Sequence, residues 1–117
     1  MTNLNNVYAQ RHYESALDYF EQGQFDKALQ QIDKAIQQSP ENPDLYATRG
    51  IFLHRMNNVV HAVEAYQAAL RVAPDHSFSH YKFANLKLVY LHFYHGLSIF
   101  GYFINFIVFK NSMLFLP

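Results

Sequence analysis

Cysteine is absent from the chain, which rules out a disulfide framework, a zinc–thiolate site and a thiol nucleophile, and fits a reducing compartment. Glycine is scarce, four in all, and none stands in a loop of the kind that cradles phosphate. Charge of one sign is missing too: nine acidic residues balance nine basic ones. The chain therefore has no overall basic field, and no nucleic-acid partner is expected. The opening stretch MTNLNNVYAQR is polar, without the apolar core of a secretory leader, so the expected location is the cytoplasm. Acid is missing after Asp75. From there on Lys82, Lys87 and Lys110 are the formal charges, in a stretch that also holds twelve of the twenty aromatics. That C-terminal third obeys different rules from the rest of a chain whose length allows one domain.

What is present is a pattern written twice. Ala28, Ile32, Ala35 and Pro40 return as Ala62, Tyr66, Ala69 and Pro74, every pair separated by the same period of about 34 residues. Upstream, Ala16, Tyr19, Gly23 and Phe25 find Gly50, Leu53, Asn57 and Val59 at that offset. Apolar residues at three-and-four spacing predict helices over about 7–22, 25–38, 43–56 and 59–72, with a fifth beginning at about 77. Gly23 and the Asn57–Asn58 pair supply the turns. Ser39–Pro40 and Ala73–Pro74 stop the second and fourth helices. Asn42, Pro43 and Asp44 make the clearest helix start, with a capping amide, a proline at the first helical position and an acid at the positive end of the dipole. An all-α array of helix-turn-helix hairpins follows, its units being 7–40, 43–74 and the start of a degenerate third over 77–90.

This period, with small residues where helices cross and a proline after the second helix, resembles the tetratricopeptide repeat. The resemblance implies an α-solenoid that binds a protein or peptide ligand, with no catalysis and no cofactor. In that family the first helix of each repeat lines a concave face. Carried onto this chain, the lining includes Gln10, Tyr13, Leu17 and Phe20, then Asp44, Ala47, Thr48, Ile51 and Arg55, then Phe78, Tyr81, Lys82 and Asn85. The expected partner-binding set is Tyr13, Leu17, Asp44, Thr48, Ile51, Arg55, Tyr81 and Lys82. Packing between hairpins competes for Leu17, Phe20 and Ile51. Family members that hold the acidic C-terminus of heat-shock chaperones use basic and amide side chains at positions that here are Tyr13, Leu17, Thr48, Phe78 and Lys82. Lys82 alone fits, so the resemblance argues against a chaperone-carboxylate receptor and for a more apolar groove that accepts a helix or an extended peptide.

Seven histidines raise the question of a metal. His76/His80 and His92/His95 have spacings that share a helix face, but neither pair has a third ligand nearby in sequence. His12 and His80 fall at the repeat position of Tyr46, which predicts packing rather than chemistry. Neither a metal nor a complete set of nucleophile, base and oxyanion donors is expected.

From Leu88 to Phe109 the chain runs without formal charge, LVYLHFYHGLSIFGYFINFIVF. As a helix this segment would be about 33 Å long, enough to cross a bilayer. Its Leu, Ile, Val and Phe side chains favour insertion by on the order of 5 kcal/mol. One expectation is therefore a tail anchor over 88–109 that tethers the repeats to a membrane from the cytosolic side. A second is the remainder of a degenerate third repeat, with Ala84, Gly96 and Phe100 at small, small and aromatic positions. A third is a truncation or read-through product of a longer repeat protein, since Phe, Tyr, Ile, Leu, Asn and Lys dominate the segment.

Overall fold

The computed structural model describes residues 4–95, and all of its elements among these are α-helices. They are α1 (Leu4–Glu21), α2 (Phe25–Gln38), α3 (Pro43–Arg55), α4 (Val59–Val72) and α5 (Ser77–His95). Neighbours in sequence are neighbours in space: α1 packs on α2, α2 on α3, α3 on α4 and α4 on α5. The result is the hairpin array that the repeat predicts.

The period of the sequence reappears in the backbone. Gly23 (φ 77°) and Asn57 (φ 62°) both adopt the left-handed conformation. Gln24 N–H donates to the Tyr19 carbonyl and Gly23 N–H to that of Phe20; Asn58 and Asn57 repeat this with Leu53 and His54. This paired closure is the Schellman motif, which satisfies helix-end carbonyls and needs a residue that tolerates positive φ. The Asn42 side chain accepts from Asp44 N–H at the start of α3, as its capping position predicts. Tyr46 hydroxyl donates to the Pro40 carbonyl at 2.8 Å, and one period later the His80 ring bonds the Pro74 carbonyl. His12, at the same repeat position, bonds Gln31 instead. These two histidines thus hold the loops and helices together.

Two apolar cores divide the array, and α3 supplies both. Leu45 and Phe52 join Ala16, Ala28, Ile32 and Ala35 in the first, with Tyr13, Leu17, Phe20 and Ile36 packed around it. Ala47 and Leu53 join Ala62, Ala65, Tyr66 and Leu86 in the second, with Ile51, Val63 and Phe83 around it. Phe20 stacks on Phe52 with ring centroids 4.3 Å apart, and the Arg49–Asp33 ion pair at 2.8 Å ties α3 to α2.

Tyr66 is fully buried, and its hydroxyl finds no hydrogen-bond partner among the described residues. Burial pushes its phenol up to about 12, whereas in the unfolded chain it ionises near about 10. The folded state thus favours the neutral form. Its contribution is fully present below pH about 10 and is lost as pH rises through about 12, on the order of 2–3 kcal/mol in all. Tyr66→Phe is expected to abolish that alkaline loss and to stabilise the protein by about 1 kcal/mol at neutral pH by removing an unsatisfied hydroxyl. Urea titrations of both proteins at pH 7 and 11 check this; equal losses at pH 11 would contradict it.

The fifth helix departs from the period. It runs 19 residues, against 13 for α3, and passes without a turn through Leu91, the position that Gly23 and Asn57 occupy in the first two hairpins. Leucine adopts positive φ only at a cost of about 1–2 kcal/mol, so continuing the helix is the cheaper course. No helix among the described residues is long and apolar enough to cross a membrane. The expected anchor over 88–109 and the rest of a third repeat lie, beyond His95, outside the described residues.

Candidate functional site

A cavity of about 250 Å³ opens where α1, α3 and α5 come side by side. Gln10 and Tyr13 reach it from α1, and Phe78 from α5. The central helix α3 and its cap give Asn42, Asp44, Leu45, Ala47, Thr48 and Ile51. Three-and-four spacing explains the set: Asp44, Ala47, Thr48 and Ile51 form one stripe, as do Gln10 and Tyr13. The second helices of the hairpins, α2 and α4, contribute none of the lining.

Of the residues that the sequence nominates, Tyr13, Asp44, Thr48 and Ile51 meet at this cavity, whereas Leu17, Arg55, Tyr81 and Lys82 do not line it. Leu17 packs against the first core. Ile51 packs against the second core while also lining the cavity. Thr48 is buried, and its hydroxyl donates to the Asp44 carbonyl at 2.8 Å within its own helix. Arg55 is exposed at the end of α3. Tyr81 is 64% exposed, and the Lys82 ammonium lies 5.5 Å from the Phe78 ring centroid and 5.9 Å from that of Tyr81. Sequence reasoning misses Asn42 as a groove residue because its role as helix cap is the legible one; the same amide also borders the cavity.

At one end of the cavity a relay of polar groups links α3 to α5. His76 Nε2 lies 2.9 Å from Asp44 Oδ1, and His76 Nδ1 lies 2.7 Å from Ser79 Oγ. An Asp–His–Ser chain suggests a nucleophile, but Ser79 is fully buried and its oxygen cannot meet a substrate. The relay instead fixes the start of α5 against the start of α3 and sets the width of the cavity between them. Among the described residues no group of three or more His, Asp or Glu side chains is placed to hold a metal ion.

The family described as TPR repeat matches over residues 16–57. Human protein O-mannosyl-transferase TMTC1 is 39% identical over an alignment of 61 residues, which covers 49% of this chain and 7% of that protein. The chain thus spans a small part of the length of the curated relative it matches. The first TPR of Spaghetti (RPAP3), solved bound to the HSP90 peptide SRMEEVD, superposes with a TM-score of 0.66 at 20% identity, covering 71% of this chain and 66% of that one. The TPR2B domain of yeast Sti1, solved in complex with pHsp70, gives 0.67 at 16% identity over 74% and 69%. At such identities the likeness is one of fold.

Proposed function

We propose, for a chain that belongs to the tetratricopeptide-repeat family, the role of a non-enzymatic protein-interaction module that binds a peptide or helix of a partner along the face made by α1, α3 and α5. The observation that carries this reading is the cavity itself. It is lined by first helices and the cap of α3, it combines apolar walls with amides and one carboxylate, and it is large enough for a ligand side chain. Similar folds solved with bound chaperone peptides support the class of ligand. Tyr13, Ile51, Arg55, Tyr81 and Lys82 are the contacts proposed, with Asp44 at the polar end.

Display of random peptides against the folded chain supplies a test that needs no named partner. Selected peptides are expected to lose about tenfold in affinity on Tyr13→Ala, the size of effect that a central aromatic contact gives. Tyr8→Ala, at an exposed position of α1 that does not line the cavity, should change affinity less than twofold. Circular dichroism should show unchanged helicity in both. Peptides that ignore Tyr13→Ala and respond to Tyr8→Ala would overturn the reading.

A further inference from the structure

We infer that the cavity between α1, α3 and α5 takes a cationic side chain, lysine or arginine, of its peptide ligand; this rests on the groove reading above and adds the charge that the groove selects. Among the nine described residues that line the cavity, Asp44 carries a formal charge and the other eight carry none. Its carboxylate commits Oδ1 to His76, yet the side chain stays 75% exposed, so the other oxygen remains open to an incoming group. A second carboxylate stands close by, because the Gln10 amide donates to Glu14 Oε1 at 3.0 Å, one helical turn along α1. The lining thus offers the acceptors that an ammonium or guanidinium needs, with Ile51, Ala47 and Phe78 to cover its aliphatic stem.

Among the described residues, none of the chain's own Lys or Arg side chains lines the cavity. Lys82 sits over the rings of Phe78 and Tyr81, and Arg49 is held by Asp33. An acidic ligand would therefore meet Asp44 with no basic side chain among the lining residues to offset the repulsion. A cationic one would gain an ion pair with Asp44 at the mouth.

Two fluorescein-labelled heptapeptides decide the matter by anisotropy with the full chain. One is SRMEEVD, the peptide held by the similar fold. The other is its charge-inverted form SRMKKVK with an amidated C-terminus. The cationic peptide should bind at least tenfold more tightly. Asp44→Asn, which keeps the acceptor for His76, should weaken it about threefold to fivefold, the upper part of the range of an exposed ion pair. If SRMEEVD binds equally well or better, or if Asp44→Asn has no effect while Tyr13→Ala weakens binding, the charge inference is wrong and the groove reading stands. If neither peptide binds at millimolar concentration, or binding ignores Tyr13→Ala, both fail.

Discussion

Phe52→Ala is expected to cost about 3–5 kcal/mol, which leaves the fold close to its unfolding threshold at room temperature. Stability for a small array is only about 5 kcal/mol or a little more, so one such loss consumes most of it. The physical reason is position rather than size alone. Phe52 belongs to α3 of the second hairpin, yet it is 2% exposed in the core of the first and stacks nearly parallel on Phe20 of α1. Removing it opens a cavity at the seam where the hairpins are joined, and neither hairpin can bury its apolar face alone. Thermal and urea melts followed by circular dichroism check the effect. A loss below about 1 kcal/mol would mean that the seam is held elsewhere.

The second large effect comes from adding one methyl group. A Cβ on Gly50 would lie 2.7 Å from Tyr66 Cζ and 2.8 Å from Cε1. Tyr66 is fully buried, so its ring is held by packed neighbours. Overpacking of this kind costs about 1–3 kcal/mol, against a helix-propensity gain of about 1 kcal/mol for replacing glycine by alanine. Gly50→Ala is therefore expected to destabilise by up to about 2 kcal/mol. The coupling identifies the cause: Tyr66→Phe leaves Cζ in place and should not relieve the clash, whereas on a Tyr66→Leu background Gly50→Ala should become neutral or stabilising. Equal effects of Gly50→Ala on all three backgrounds would contradict the assignment.

That same contact shows why the repeat is legible in the sequence. The first hairpin has Ala16 and Ile32 where the second has Gly50 and Tyr66, a larger side chain on one helix matched by a smaller one on the other, one period on. Both pairs sit in the cores. Crossing positions, turn residues and caps are short-range signals carried by single residue types, so the bounds of α2, α3 and α4 follow from them almost residue by residue. The length of α5 does not. Its composition fits a helix, but the information that it fails to turn lies in Leu91 standing where Gly23 and Asn57 stand, a comparison between repeats rather than a local preference.

The site is legible in part, for the same reason. Helical spacing places Asp44, Thr48 and Ile51 on one face of α3, and the family resemblance is what adds Tyr13 from α1; all four line one cavity. Spacing within a helix says nothing about contacts between helices. The Asp44–His76 link, the internal bond of the Thr48 hydroxyl and the docking of Lys82 on Phe78 depend on how α3 and α5 approach each other. Spacing pairs His76 with His80 as a candidate metal site, whereas its partners in the fold are Asp44, 32 residues away, and Ser79.

The most direct measurement is a map of backbone amide shifts in the isotope-labelled chain titrated with the cationic heptapeptide. Perturbations should centre on Gln10, Tyr13, Asp44, Ala47, Ile51 and Phe78, and leave the exposed sides of α2 and α4 unchanged. Shifts centred instead on exposed α2 and α4 positions such as Lys34, Gln37, Glu64 and Gln67 would show that the face made by α1, α3 and α5 is not where this protein binds.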